Sequence, residues 1–552
     1  MSHEWASVLT FYSLLFLIGC FWIFAASHVT STLPRDTLEA YYWGLGWSWT
    51  TPKHPPLAPF LVQLASAVAP GYALPVQILG VAFVLISLGL VVWLGEELYS
   101  TDVGIGMALI SMTSLLLLPL AYEFNPNIAL LPFWVLVAIF GWRIQRDDAP
   151  LLDWLMLGVA AGLGALAKYA IGLALLPIVV AYLGRQGLRW RWLLTPGPWC
   201  AIAVFVAVIT PHAFAAARQN LPTVSVVLRD IIWEPGRILT LQPLSEISLF
   251  AVAIGGTSAL GILLARHIAL NTTAGDVTNR PRLLASALSL TMPASEGDAS
   301  REWAARDLYL AMITLGPLLI MLAFGIAGAR LRPTWGLPLA LMFGPAVVAF
   351  WPLLRSKLEG QWWSLPTTLM IAAALLAQLV GFCGYFLLAP YAALGGPLRE
   401  HVDGPAVAHI AETYWHKFSS DPLPLIIGIG GGGLERQVIG SVAFFSDSHP
   451  FAHQKFWITP PLDADGGLLS ERKEIALTWP WIDLDRVERD GALVVTIGAP
   501  PAARSTLGQC IRDWTRFDLP TGSPRYPRQT MWLGHLVPHS LDSPCDDNQT
   551  RS

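Results

Sequence analysis

The chain has 552 residues, of which 54% are hydrophobic and only 13% charged, against about 25% charged in ordinary soluble domains. That balance excludes a soluble globular enzyme and points to a polytopic α-helical membrane protein, and a net charge of −4 offers nothing to nucleic acid. The 24 Trp and 13 Tyr suit the aromatic belts of a membrane–water interface.

Apolar runs able to cross about 30 Å of hydrocarbon recur at 8–28, 76–95, 104–121, 128–142, 152–168, 170–184, 196–213, 246–265, 307–327, 337–354 and 366–389. They predict about eleven transmembrane helices, with the termini on opposite sides. The first run has no basic n-region and no Ala-x-Ala site, so it reads as a retained helix and not a cleaved leader. Lys and Arg in the connecting segments orient the bundle. With a cytoplasmic N-terminus the inner loops hold Arg143, Arg146, Arg185, Arg189, Arg191, Arg280, Arg282, Arg301, Arg306, Arg355 and Lys357. The outer face then receives 29–57, 122–127, 214–245, 328–336 and everything after about 390. Those outer segments still carry Arg35, Lys53, Arg218, Arg229, Arg237, Arg330 and Arg332, an excess that predicts an anionic ligand there.

The polar, Ser/Thr/Ala-rich segment 267–306 reads as a cytoplasmic insertion. From about 397 charged residues return and β-like runs at 422–428 and 492–498 alternate with polar stretches, predicting a small extracytoplasmic α/β domain over 397–552. Cys20, Cys200 and Cys383 lie in apolar runs and read as small hydrophobes. Cys510 and Cys545 lie in the polar tail, where a disulfide can form if the tail is extracytoplasmic. Gly428-x-Gly430-x-x-Gly433 formally matches a dinucleotide fingerprint, but no acidic residue is suitably placed and an extracytoplasmic domain does not meet NAD.

The scarcest residues gather in 35–57, the candidate catalytic loop. Asp36 and Glu39 stand three positions apart, which on a helix starting near Thr37 puts both carboxylates on one face. The same spacing is also that of a capping box, with no chemistry implied. Tyr41, Tyr42, Trp43, Trp47 and Trp49 follow, then Lys53, His54 and a Pro-Pro stop, so acid, cation and aromatic platform come together. Lys168 interrupts GLGALAKYAIGLALL: it either snorkels to the headgroups or presents a cation to a lipid phosphate at the outer leaflet. In YEFNPNIALLPFW (122–134), Asn125 and Asn127 are turn residues or amides for sugar hydroxyls. Pro211-His212 reads as a helix end with a satisfied histidine, and RLRPTWGLP (330–338) as a basic, aromatic interface anchor.

Taken in order, RDTLEAYYWG, KHPPLAPF, FNPNIALLPFW, GLGALAKYAIGL, TPGPW with ITPH, and LRPTWGLP resemble the bacterial glycosyltransferase family 39 and family 83 proteins. These are relatives of protein O-mannosyltransferases and lipid A aminoarabinose transferases in the GT-C superfamily. The resemblance covers about 30–390 and continues weakly through DPLPLIIGI and SVAFFSDSHP. It implies a GT-C domain over 1–390 in a bacterial inner membrane, with active site and C-terminus periplasmic. It further implies an inverting transfer of a sugar from a polyprenyl-phosphate donor to lipid A, core oligosaccharide, another envelope glycan or a protein. A monomer with no cofactor and no divalent metal is expected, its partners being membrane lipid, donor and acceptor.

By the same resemblance the acidic pair supplies the catalytic base. Many relatives carry adjacent Asp-Glu before Ala-Tyr-Tyr-Trp, whereas here Leu38 precedes Glu39 and the aspartate is Asp36. Either carboxylate fits; the assignment makes Asp36 the base and lets Glu39 position the acceptor or a second proton. Lys53, His54, Lys168, Arg330 and Arg332 are expected at the donor phosphate, and Tyr41, Tyr42, Trp43, Asn125, Asn127, His212 and Trp335 at the substrates. The rival class is a transporter or flippase of a lipid-linked sugar, which would show repeated halves and midplane charges. An inactive envelope protein that keeps the fold is a third reading.

Overall fold

The computed structural model describes residues 3–30, 32–185, 194–218, 298–327, 329, 331–359, 365–384, 402–429, 432–455, 482–498, 500, 510–520 and 529–538. Helices α1 (His3–Val29), α2 (Arg35–Gly44), α3 (Leu57–Ser66), α4 (Leu74–Leu98), α5 (Thr101–Ser111), α6 (Pro126–Arg143), α7 (Leu151–Ala167), α8 (Gly172–Arg185) and α9 (Pro196–Arg218) come first. They are followed by α10 (Asp298–Ile326), α11 (Leu337–Leu341), α12 (Phe343–Phe350), α13 (Pro352–Leu358) and α14 (Leu365–Phe382). Among the described residues five helices are long and apolar enough to cross a membrane: α1, α4, α6, α9 and the Trp303–Ile326 part of α10. The chain is a membrane protein.

Several predicted runs take a different form. The run 104–121 is helical only to Ser111. Its 11 residues reach about 16 Å, half the hydrocarbon thickness. The Thr113 hydroxyl takes the Ile110 carbonyl, and Pro119 further on has no N–H to continue a helix. Helix α5 is instead an internal element, pressed so close to α4 that a Cβ on Gly95 would stand 2.2 Å from Gly104 Cα. The run 337–354 breaks into α11, α12 and α13, with Trp351 (φ −132, ψ 74) steered out of the helix by Pro352. Lys168 is extended (φ −163, ψ 135) and a 3-10 turn over Tyr169–Ile171 leads into α8. The run 246–265 and most of the insertion 267–306 lie outside the described residues, while the end of that insertion, from Asp298, already belongs to α10.

Charges expected on the cytoplasmic side do meet at one end of the bundle. Arg143 pairs with Glu97 at 2.5 Å and with Asp153 at 3.4 Å, and Arg146 reaches Glu97 at 3.2 Å. Arg355 pairs with Asp307, which also accepts the Tyr99 hydroxyl at 2.5 Å.

After the bundle come α15 (Gly404–Trp415), β1 (Leu425–Ile429), α16 (Gly433–Phe445), β2 (Phe451–Lys455), α17 (Leu484–Asp490), β3 (Ala492–Ile497), β4 (Ile511–Asp518) and β5 (Thr530–Leu536). They form one sheet in the order β2-β1-β3-β5-β4, in which β1 pairs parallel with β2 and β3 while β5 is antiparallel to β3 and β4. The uniformly apolar runs of β1 and β3 become its buried interior strands. Glu435 takes the Gly432 amide of the glycine-rich turn at 2.9 Å and, on its other oxygen, the Ile497 amide of β3 at 3.2 Å. Cys510 is disulfide-bonded; Cys20, Cys200 and Cys383 are free, and Cys545 lies outside the described residues.

Candidate active site

Helix α2 opens after Pro34 with no side-chain cap, so Asp36 sits inside the first turn and the capping-box reading does not hold. Its carboxylate takes the Arg35 guanidinium instead, with Oδ1 accepting Nη2 at 3.1 Å and Nε at 3.2 Å. Asp36 and Glu39 share a face of α2 but differ in depth: their side chains are 28% and 1% exposed. Glu39 holds Lys53 Nζ at 3.1 Å on Oε2 and Arg436 Nη1 at 2.9 Å on Oε1, with Arg35 Nε at 3.8 Å.

Asp36 faces a cavity of about 350 Å³. Its polar end is made by Asp36, Lys53, His54, Asn127, Lys168 and Arg332. Its apolar wall comes from Leu130 and Trp134 of α6, Leu173 of α8, Met321 and Phe324 of α10, and Leu331 with Leu339. Lys168 enters because α7 ends at Ala167 and the extended residue turns its amine inward, where it donates to Asn127 Oδ1. Irregular backbone inside a bundle is tolerated where it lines such a cavity. Trp335 receives both flanking cations on its ring, Lys168 Nζ at 5.3 Å and the Arg332 guanidinium at 5.9 Å.

These charges act on one another. Burial alone would raise the Asp36 carboxyl; Lys53 and Arg35, together with the Arg35 hydrogen bond, outweigh it and hold the group well below the usual carboxylate range. Burial, reinforced by Lys53 and Lys168, pushes the His54 ring well below its ordinary value. His54 is therefore neutral at physiological pH and offers a hydrogen bond, not a positive charge.

Of the expected site residues, Asp36, Lys53, His54, Lys168, Arg332, Asn127 and Trp335 line the cavity. Arg330 lies outside the described residues. Six others are absent from its lining. Glu39 is buried behind it at 1% exposure, each oxygen paired with a cation, so a substrate in the cavity does not reach it. Tyr41 faces the C-terminal domain, edge-on to Phe444 at 4.8 Å, and burial pushes its hydroxyl up to about 12. Tyr42 and Trp43 are enclosed in the core at 0% and 2% exposure. Asn125 caps α6, its Oδ1 accepting Asn127 N at 2.8 Å. His212 lies inside α9, not at its end; its Nδ1 donates to the Trp49 carbonyl at 2.6 Å and its Nε2 accepts the Tyr169 hydroxyl at 2.6 Å. It thus steadies Tyr169, which does line the cavity. Arg436 and the α10 part of the wall were not expected at the site, and Arg35, read only as one of the outer-face cations, proves to be the partner of Asp36. Among the described residues no group of three or more His, Cys, Asp or Glu side chains gathers as a metal site would require.

Residues 53–214 match the family model described as dolichyl-phosphate-mannose-protein mannosyltransferase. No curated protein matches the sequence. Among solved structures, ArnT from Cupriavidus metallidurans bound to undecaprenyl phosphate aligns with a TM-score of 0.56 at 12% identity, covering 99% of this chain and 100% of that one. The chain has the GT-C fold. The same ArnT in its apo state aligns with a TM-score of 0.55 at 13% identity, over 98% and 100% of the two chains. The family match takes in Lys53, His54, Asn127 and Lys168, while Asp36, Arg332, Trp335 and Arg436 lie outside it.

Proposed function

We propose that the chain is a glycosyltransferase that takes a sugar from a polyprenyl-phosphate carrier at the outer face of a bacterial inner membrane, with Asp36 as general base. The observation that carries the reading is the two-ended cavity: Lys53, Lys168 and Arg332 beside a carboxylate, continuous with a wall of Leu, Met, Phe and Trp. A polyprenyl phosphate has that chemistry, one anionic group on an apolar tail. The fold, shared with an ArnT bound to undecaprenyl phosphate, supports the same donor class.

In this reading the acceptor hydroxyl, from an envelope glycan or protein, attacks the anomeric carbon from the side opposite the phosphate, so configuration inverts. The C–O bond to phosphate breaks, its electron pair goes to the phosphate oxygen, and the hydroxyl proton goes to Asp36. Lys53, Lys168 and Arg332 stabilise the charge that develops on the leaving group; no metal or cofactor is assigned a role. Asp36 owes its low proton affinity to Lys53 of this set and to Arg35 beside it. A phosphate seated among them cancels part of their field, so the carboxylate becomes a better base once the donor is bound.

Two observations support the orientation. The expected cytoplasmic charges gather at the end remote from the chemistry, as the positive-inside rule requires. Cys510 is disulfide-bonded, which suits an oxidising compartment such as the periplasm.

The test is sugar transfer from a panel of polyprenyl-phosphate sugars by the protein in lipid. Asp36→Asn is expected to lower kcat by about 10²–10⁴-fold, the usual worth of a general base, with the fold intact. If Asp36→Asn stays active while Glu39→Gln does not, the two roles are exchanged. If neither matters, the site assignment fails. Binding of undecaprenyl phosphate without consumption of any donor would favour transport of a lipid-linked sugar.

A further inference from the structure

Glu39 is a buried carboxylate, and a buried charge must be balanced where it stands. It divides its two oxygens between cations from opposite ends of the chain: Oε2 takes Lys53 at 3.1 Å and Oε1 takes Arg436 at 2.9 Å. Lys53 faces the cavity, and of the charges that hold Asp36 down it is the strongest. Arg436 does not face the cavity. It belongs to α16, the helix of the C-terminal domain that covers α2.

The packing of α16 on α2 fixes where Arg436 is delivered. Gly440 lies so close to α2 that a Cβ there would stand 2.6 Å from Leu38 Cβ. Gln437 Nε2 donates to the Leu33 carbonyl at 2.8 Å, and Ser441 Oγ lies 3.3 Å from Thr32 Oγ1.

We infer that Arg436 is a positioning residue for the phosphate end of the cavity, acting through Glu39 on Lys53. By claiming one oxygen of Glu39 it leaves the Lys53 ammonium only partly engaged and available to an anion in the cavity. The C-terminal domain is then part of the active site without touching substrate. The identity of the anion as a lipid phosphate rests on the function proposed above; the Arg436–Glu39–Lys53 coupling does not.

The experiment uses the full chain in lipid and two readouts. The first is limited acetylation with acetic anhydride, read by mass spectrometry at Lys53 with Lys168 as internal reference. In Arg436→Gln, Glu39 is left with less countercharge and grips Lys53 harder, so Lys53 labelling falls severalfold relative to Lys168. Arg436→Lys restores it. In a Glu39→Gln background, Arg436→Gln has no further effect; this pair removes both buried charges and keeps the test valid if the single variant folds poorly. The second readout is binding of undecaprenyl phosphate, expected to weaken about tenfold in Arg436→Gln, the scale of one hydrogen bond to a charged group, with KM for donor rising more than kcat falls. Labelling of Lys53 and Lys168 that rises together marks simple loosening and overturns the inference, as does unchanged Lys53 labelling. If wild type does not bind undecaprenyl phosphate, the functional reading fails while the labelling still decides on Arg436.

Discussion

Asp36 and Glu39 lie less than one helical turn apart on the same face, yet their surroundings assign them different work. Glu39 sits in the dark of the α2–α16 contact with both oxygens paired, whereas Asp36 keeps an edge on the cavity. His54 shows how burial redefines a residue: with little water, and with Lys53 and Lys168 beside it, it stays neutral. A lowered folded-state value means that the unfolded chain binds the His54 proton first, so stability falls as pH drops below about 6.5. Between pH 7.5 and 5.5 this one group costs about 1 kcal/mol. Asp36 adds its loss only in stronger acid, below about 4, because its folded value is depressed. Thermal midpoints in lipid should therefore fall from pH 7.5 to 5.5 in wild type and fall less in His54→Gln. Parallel slopes would show that His54 is not held neutral.

At the scale of elements, breaks in helices do the positioning. The end of α7 at Ala167 lets Lys168 turn into the cavity, which an uninterrupted helix would have prevented. The division of 337–354 into three short helices likewise lets the Arg332–Trp335 segment close the polar end beside Leu337–Leu341. The α2–α16 contact depends on Gly440, since a side chain there meets Leu38 head-on. Gly440→Val should cost about 1–3 kcal/mol of stability, as overpacked contacts do, and should lower sugar transfer by tilting α2 away from the cavity. A thermal midpoint and a turnover that both match wild type would show that α2 is not held there.

At the scale of the molecule, the helical part alone lines the cavity among the described residues, and the small mixed-sheet domain is tied to its rear through the Arg436–Glu39 pair. If the sheet domain is periplasmic, its disulfide forms in the cell. Alkylation of the denatured, unreduced protein taken from cells should then modify three of its five cysteines, Cys20, Cys200 and Cys383. Modification of all five would contradict an oxidising location. Cys510→Ser should cost about 2–5 kcal/mol of domain stability, read as a lower unfolding midpoint.

Hydropathy, turn chemistry and charge asymmetry are local properties, so the sequence alone determined the membrane class and the small domain built on runs such as 425–429 and 492–497. The polar lining of the cavity comes from Asp36, Lys53, His54, Asn127, Lys168 and Arg332, which the sequence places on or at the outer face, whereas its apolar wall comes from runs read as spanning. Depth is different. Whether a carboxylate on α2 meets water or a guanidinium depends on what packs over it, and Arg436 lies 397 residues away from Glu39. Periodicity gives the face of a helix but not its cover, so Tyr42 and Trp43, aromatic and near the acids, became core, and His212 became a brace for Tyr169. Only the tertiary structure decided which charged groups remain available to a ligand, because burial and long-range ion pairing set that, and neither is written in neighbouring residues.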